Sequence, residues 1–144
     1  MRGIRREVVY PHPPERVWRA LTDPAVLATW LMESDIEPRV GHRFTFRTKP
    51  GPGFDGIVHC EVLEADPPRR LVYTWGGGPT KEHPTRVEWT LTPEGSGTRL
   101  LLEHSGFRGV AGFLLRTMLG RGWGHKLRDP QHFLRVLDRL ATAR

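Results

Sequence analysis

The apolar residues of the C-terminal stretch recur at helical spacing. A helix is predicted over residues 123–141, because five apolar side chains share one of its faces: Trp123, Leu127, Leu134, Leu137 and Ala141. Basic and polar side chains fill the opposite face. A helix with a single apolar stripe must bury that stripe against another part of the protein.

The segment before this helix is also apolar. Residues 110–119 predict a shorter first helix, and residues 120–122 predict a flexible joint because two of the three are glycine. Asp129 and Pro130 have the pattern of an N-cap followed by proline at the first helical position, so we expect the long helix to kink or restart there. Residues 110–119 are too short by about half to span a membrane.

The chain upstream of His104 alternates between apolar and polar residues, as β-strands do. The first strand is expected over Ile4–Tyr10. Two short helices follow, one starting at Pro13 and Pro14 and one over residues 25–31. Further strands are expected between turns rich in glycine and proline, at residues 36–38, 43–47, 56–65, 71–75, 87–91 and 100–104. Short loops favour antiparallel neighbours, so these strands predict one meandering sheet.

Strand parity places many aromatic residues on the inner face of this sheet. The inward set is Phe44, Phe46, Tyr73, Trp75, Val87, Trp89 and Leu102, and the helices add Trp18, Trp30 and Trp123. Such residues either fill a solid core or line a cavity with rings and indole N–H groups. The pattern by itself slightly favours a solid core.

Composition narrows the class of protein. The 144 residues form one domain of ordinary size, taken as residues 1–144. The lone Cys60 excludes an internal disulfide, and with no apolar run of a signal peptide at the start it favours the cytoplasm. The net charge of +6 raises the question of nucleic acid. Basic and acidic residues are interspersed and no aromatic series accompanies the arginines, so we expect no nucleic-acid partner.

The order of elements and several local motifs resemble a known family. A strand, two short helices, a meander and a long C-terminal helix resemble the helix-grip arrangement of the START-like (SRPBCC) superfamily. The motifs are similar to those of its branch named for the C-terminal domain of the activator of heat-shock-protein-90 ATPase, and they cover nearly the whole chain: Pro13-x-x-x-Val17-Trp18-x-Ala20-Leu21-Thr22-Asp23-Pro24, Leu27-x-x-Trp30, Val40-Gly41-x-x-Phe44, Pro67-Pro68-x-x-Leu71, Gly97-Thr98-x-Leu100, His104-Ser105-Gly106-Phe107 and Gly122-Trp123. The resemblance implies an α+β fold with a curved antiparallel sheet of six to seven strands, two short helices and a long C-terminal helix.

The resemblance also implies a function. Relatives of this kind hold an apolar cavity between sheet and long helix and bind lipids, polyketides or other hydrophobic small molecules, with no cofactor or metal required. This shifts the prediction from a solid core to a cavity lined by Trp18, Trp30, Phe44, Phe46, Tyr73, Trp75, Trp89, Leu102, His104, Phe107, Leu114, Met118 and Trp123. Many relatives are polar where residues 110–115 are apolar, so this segment is interpreted as a lid or as a homodimer contact.

Two other functions stay open at this point. Parity turns His104 inward, where it could act as a general base with Tyr73 in an enzyme of the cyclase or hydrolase type. A hydrogen-bonded core histidine is the commoner arrangement. A chaperone-regulator role through the outer surface is the other alternative. Strand spacing puts Cys60 about 14 Å from His104, too far for a catalytic pair, and the histidines lack the helical spacing of a metal site.

Overall fold

The computed structural model describes residues 3–128 and 133–142. Within these residues seven strands and four helices follow one another, with one 3-10 turn at Gly78–Thr80. In chain order they are β1 (Ile4–Tyr10), α1 (Pro14–Thr22), α2 (Pro24–Trp30), β2 (Glu33–Ser34), β3 (Arg43–Arg47), β4 (Ile57–Asp66), β5 (Arg70–Trp75), β6 (Thr85–Glu94), β7 (Gly97–Ser105), α3 (Gly109–Arg128) and α4 (Arg135–Thr142).

The seven strands form one curved antiparallel sheet. Its order is β1-β7-β6-β5-β4-β3-β2, so each strand from β2 to β7 pairs with the next and β1 pairs with β7. The helices pack against the inner face and against one another. The predicted α+β fold with a curved antiparallel sheet, two short helices and a long C-terminal helix is therefore confirmed.

Strand parity predicted the inner face correctly. The aromatic and aliphatic residues on that parity are buried, and His104 with them: Phe44, Phe46, Leu71, Tyr73, Trp75, Val87, Trp89, Leu100, Leu102 and His104. Val72 lies on the opposite parity and is nevertheless fully buried. It is covered because Arg70 bonds to Glu64 at 3.2 Å and to Glu88 at 2.6 Å across the outer face. Arginine stems and ion pairs thus shield an apolar side chain on the solvent side.

The two short helices begin and end at the proline signals. Pro14 occupies the start of α1, where its missing N–H removes no helical bond. Asp23 separates the two helices and caps α2, because its carboxylate accepts from the Ala25 N–H at 3.0 Å. The chain turns at this residue, so α1 and α2 pack on each other.

The predicted joint at residues 120–122 is wrong, since α3 runs through it without a break. Gly120, and Gly124 one turn further on, serve packing instead of bending. Arg6 points from β1 to the inner side and donates to the Gly120 carbonyl at 3.0 Å. A β-carbon at Gly120 would lie 3.2 Å from Arg6 Nη2, and one at Gly124 would lie 3.3 Å from Arg6 Nε. The two glycines therefore leave room for a guanidinium between sheet and helix.

The predicted strand at residues 36–38 is also misplaced. The edge strand β2 is Glu33–Ser34, paired with Arg47 and Phe46. Beyond it the Asp35 carboxylate accepts from the Thr45 N–H at 2.8 Å, so a side chain replaces the backbone ladder. Ile36 is buried, which is the source of the apolar pattern that resembled a strand.

The C-terminal segment closes the inner face. Phe133 is fully buried between the ring of Tyr10, at 4.9 Å between centroids, and that of Trp30, at 4.7 Å. Asp138 of α4 accepts from His12 at 2.8 Å. The predicted restart at Asp129 and Pro130 lies outside the described residues. Among the helices the structure describes, none is long and apolar enough to span a membrane.

Candidate functional site

A cavity of about 380 Å³ lies between the first half of α3 and the loops at one end of the sheet. Its wall is mainly apolar and one side opens to solvent. The residues that line it are Met32, Pro52, Gly53, Phe54, Val58, Trp75, Gly77, Gly78, Ala111, Leu114, Leu115, Met118 and Leu119. Its volume falls in the range of small-molecule sites.

Two loops shape the side of the cavity that faces α3. In the β3–β4 loop, Gly51 and Phe54 exchange two backbone hydrogen bonds, at 2.9 and 3.0 Å, which closes a tight turn. In the loop after β5, a β-carbon at Gly77 would lie 3.3 Å from Phe54 Cε1 and 3.2 Å from Val58 Cγ2. The absence of a side chain at Gly77 therefore lets the Phe54 ring stand beside the cavity.

The cavity has a buried floor and an exposed rim. Val58 and Trp75 form the floor, with 2% and 4% of their surface exposed. Leu114 and Met118 form the rim, with 63% and 62% exposed. Apolar side chains this exposed on one helix face are uncommon without a binding role.

The structure divides the residues that sequence reasoning assigned to the site. Trp75, Leu114 and Met118 line the cavity. The other predicted residues do not line it: Trp18, Trp30, Phe44, Phe46, Tyr73, Trp89, Leu102, His104, Phe107 and Trp123. All of these except the half-buried Trp18 are core residues with at most 4% exposure.

The core aromatics fill the space beneath the long helix by contact with one another. The Tyr73 ring lies 5.2 Å from that of Phe44 and 5.9 Å from that of Phe46. The Trp123 ring of α3 meets those of Trp75 and Trp89 at 5.6 and 5.5 Å. Edge-to-face and tilted contacts of this kind leave a solid interior. The cavity therefore lies to one side of these rings.

His104 is enclosed in a complete hydrogen-bond network. Its Nδ1 accepts from Trp123 Nε1 at 3.2 Å, and its Nε2 lies 2.7 Å from Thr85 Oγ1. Because an indole nitrogen can only donate, the ring proton is on Nε2 and the hydroxyl accepts it. The Thr85 hydroxyl in turn donates to the Trp75 carbonyl at 3.1 Å. Burial lowers the pKa of His104 to about 3, so the ring stays neutral.

Two other groups with catalytic potential are equally enclosed. The Tyr73 hydroxyl accepts from Trp89 Nε1 at 3.0 Å, and burial raises the pKa of Tyr73. Burial also raises the pKa of the Cys60 thiol, which keeps it protonated and unreactive. Within the described ranges, no three His, Cys, Asp or Glu side chains stand close enough together to hold a metal ion.

Sequence reasoning missed most of the cavity wall. Apart from Val58 of β4, the missed residues come from loops and from α3: Met32, Pro52, Gly53, Phe54, Gly77, Gly78, Ala111, Leu115 and Leu119. Two signals were available. Phe54 is a large aromatic residue inside a run of turn residues, and Leu115 and Leu119 are four residues apart on α3.

The chain is similar in sequence and in fold to known proteins. The family model of activator of Hsp90 ATPase homolog 1-like proteins matches residues 11–129. The protein MLL2253 from Mesorhizobium loti is 36% identical, with 99% of each chain covered and a TM-score of 0.80. No curated protein matches the chain.

Two further solved structures are similar at lower identity. CalU16 from Micromonospora echinospora is 26% identical over 94% of this chain and 80% of its own, with a TM-score of 0.70. DynU16, a protein of the dynemicin biosynthetic locus, is 27% identical over 99% of this chain and 48% of its own, with a TM-score of 0.70. From the family match and the likeness to MLL2253 together, the chain belongs to the activator of Hsp90 ATPase homolog 1-like family, within the START-like superfamily.

Proposed function

We propose that this protein binds a hydrophobic small molecule, such as a lipid, a polyketide or an aromatic metabolite, in the cavity between the sheet and α3. One observation carries the proposal. The cavity of about 380 Å³ is walled by apolar groups and opens to solvent past Leu114 and Met118. Burial of an apolar guest there gains free energy in proportion to the area removed from water.

The setting of one structurally similar protein supports this proposal. DynU16 belongs to a biosynthetic locus. A protein that holds an apolar metabolite out of water would be useful in such a setting. The buried free cysteine favours a reducing compartment, so we propose a cytoplasmic location.

Binding is favoured over catalysis because the candidate catalytic groups do not reach the cavity. The ring nitrogens of His104 both bond to protein groups, and the Tyr73 hydroxyl bonds to Trp89. A cyclase or hydrolase that uses these two residues would have to break the core open. A chaperone-regulator role stays a prediction supported by the family description, and a pull-down with the host's heat-shock-protein-90 homologue would test it.

The exposed apolar residues of α3 lie on two sides of the helix. Leu114 and Met118 line the cavity, so this half of α3 acts as its cover. Phe113 is 49% exposed and does not line the cavity, so a contact between two copies of the chain remains a prediction for that side. Sedimentation velocity over a range of protein concentrations would test for the homodimer.

The first prediction tests the site by introducing negative charge at the cavity rim. The double variant Leu114→Glu/Met118→Glu places two carboxylates on the cavity rim, and a carboxylate beside an apolar guest is costly unless it is paired. We expect it to weaken binding of the neutral dye N-phenyl-1-naphthylamine by at least about 10-fold. Dye fluorescence measures the affinity, and displacement by fatty acids, sterols and aromatic polyketides ranks the ligand classes.

A matched control lies one residue away on the same helix. Phe113→Glu/Thr117→Glu adds the same charge at the same spacing, and neither residue lines the cavity. This variant should keep the affinity of the unmodified protein. The proposed function would be contradicted if both double variants lost dye affinity equally, or if the unmodified protein did not bind the dye.

A further inference from the structure

One polar group at the floor of the cavity has no hydrogen-bond partner in the part of the chain that the structure describes. The other three buried tryptophans donate their indole N–H: Trp30 to the Ala20 carbonyl at 2.8 Å, Trp89 to the Tyr73 hydroxyl at 3.0 Å and Trp123 to His104 Nδ1 at 3.2 Å. The N–H of Trp75 donates to no acceptor among the described residues, although the side chain is only 4% exposed. Buried indole groups normally find a hydrogen-bond partner, because an unmade bond costs free energy.

The direction of this N–H follows from its accessibility. Within the described part of the chain, Arg116 Nε is the one partnerless side-chain polar atom that is sealed from solvent. Trp75 Nε1 has no partner among the described residues and is not sealed in this way, so part of the small accessible surface of Trp75 belongs to this nitrogen. That ring is packed against Phe46 at 5.4 Å, His104 at 5.6 Å and Trp123 at 5.6 Å, and the open space it lines is the cavity. We infer that the N–H is directed toward the cavity.

The rest of the cavity wall offers a guest few other polar contacts. Its remaining side chains are aliphatic or aromatic hydrocarbon, methionine or proline, and none of them carries a charge. The Gly77 N–H and carbonyl are already bonded to Thr80, and the Gly78 carbonyl accepts from the Lys81 N–H. A charged guest would be left without a counter-charge at this depth.

These observations define the chemistry of the guest. We propose that the ligand is uncharged and apolar, with one carbonyl or hydroxyl oxygen that accepts a hydrogen bond from Trp75 Nε1 at the cavity floor. An acceptor is required because the indole nitrogen can only donate. The inference rests on the proposed function, since it names the class of molecule that the same cavity binds. It separates oxygenated neutral compounds from both plain hydrocarbons and free fatty acids in their ionised form.

A matched pair of probes tests the inference. 9-Fluorenone and fluorene have the same tricyclic frame, and only the ketone carries an acceptor oxygen. We expect the unmodified protein to prefer fluorenone by about 3- to 10-fold, the contribution of one hydrogen bond. The variant Trp75→Phe keeps a ring at the floor but removes the donor, so it should bind the two probes with equal affinity. Thr117→Ala, on the same helix but outside the cavity lining, touches no donor of the cavity and should preserve the preference.

A second measurement already gives a result on the unmodified protein. The carbonyl stretch of fluorenone, read by infrared spectroscopy in the bound state, should shift to lower frequency than in a hydrocarbon solvent. In the Thr117→Ala protein the same shift should appear. In folded Trp75→Phe it should disappear.

The outcomes separate the two proposals. If both probes bind to the unmodified protein with equal affinity and the carbonyl stretch is that of a hydrocarbon solvent, the inference about Trp75 is overturned while the binding function stands. If a preference for fluorenone survives Trp75→Phe, another donor makes the bond and the inference is overturned as well. If neither these probes nor the dye binds, the proposed function fails and takes the inference with it.

Discussion

The imidazole of His104 shows how one residue can be fixed in a single protonation state by its surroundings. Trp123 supplies a donor to one nitrogen and Thr85 an acceptor to the other, so only the neutral ring with its proton on Nε2 satisfies both. A second proton would disrupt the bond from Trp123 and place a charge where no water reaches. The residue that resembles a catalytic base in the sequence is therefore a structural bridge between β7, β6 and α3.

This burial predicts how stability depends on pH. The pKa of His104 is lowered from 6.5 to about 3, so below pH 6.5 the unfolded chain binds a proton that the folded protein refuses. Stability contributed by the neutral ring is complete above pH 6.5 and is lost as the pH falls. We expect the free energy of unfolding in urea to drop by about 1.4 kcal/mol per pH unit between about pH 6 and 5.

Other titrating groups can be kept out of that measurement. The pKa values of Asp35 and Glu37 are lowered, the first mainly by the Thr45 N–H and the second by Arg39, from ordinary values of 3.8 and 4.5. Their contributions are lost at lower pH than the chosen window. His104→Gln should flatten the pH dependence of the free energy of unfolding. If the free energy of unfolding of His104→Gln still fell steeply between about pH 6 and 5, the pH dependence would arise from another group.

At the scale of elements, the glycines of α3 differ in what they pack against. Gly120 and Gly124 meet the Arg6 side chain. Gly122 faces open space, because no atom of the described residues beyond its own turn of helix lies within 4 Å of the point where a β-carbon would be. The sequence pattern treated Gly120 and Gly122 alike, as a flexible joint. Glycine identity alone cannot distinguish a bend from a close approach, because the difference lies in what a distant strand presents to the helix.

This contrast predicts opposite results for two similar substitutions. Gly122→Ala should raise the free energy of unfolding by roughly 0.5 to 1 kcal/mol, because alanine is the better helix former and no neighbour opposes it. Gly120→Ala makes the same gain in propensity but displaces the Arg6 guanidinium from the Gly120 carbonyl. It should end about 1 kcal/mol less stable than Gly122→Ala.

Urea unfolding followed by tryptophan fluorescence measures both values. The double variant Arg6→Ala/Gly120→Ala serves as the control, because the clash is absent when the arginine is absent. Compared with Arg6→Ala alone, the double variant should have a higher free energy of unfolding, because alanine is the better helix former. Equal stabilities of Gly120→Ala and Gly122→Ala would contradict the assignment of Arg6 as the packing partner.

At the scale of the whole molecule, the C-terminal residues hold the helices and the sheet together. Phe133 fills the space between Tyr10 of β1 and Trp30 of α2, and Asp138 bonds to His12 at the start of the chain. The Tyr10 hydroxyl also donates to the Leu127 carbonyl of α3. Residues more than 100 positions apart thus meet at one place, and their contacts form only when the sheet is complete.

This packing predicts a large loss of stability when the Phe133 ring is removed. Phe133→Ala should lower the free energy of unfolding by about 3 to 5 kcal/mol, the usual cost of removing a fully buried phenyl ring. The half-buried neighbour Leu134 gives the comparison, and Leu134→Ala should cost clearly less. Urea unfolding measures both. A loss below about 1 kcal/mol for Phe133→Ala would show that the segment contributes little to the fold.

The sequence was a good guide to the frame of the molecule and a poor guide to its cavity. Alternation placed Phe44, Phe46 and Trp89 on the inner face because the side of a strand is set by parity. Parity does not say whether that face is packed solid. The open space depends on where Phe54 of a loop and Leu115 of α3 stand relative to Trp75, and that follows from tertiary contacts without a local pattern.

The position of Arg6 has one further consequence, for the free edge of the sheet. β1 is the last strand at its end of the order, and it carries a cation that faces inward. An inward-pointing charge on an outermost strand discourages another strand from joining alongside it. The opposite end finishes in the two-residue strand β2, which offers little length for pairing. Self-association into a continuous ribbon is thus disfavoured at both ends, so any contact between copies is steered toward the helical side.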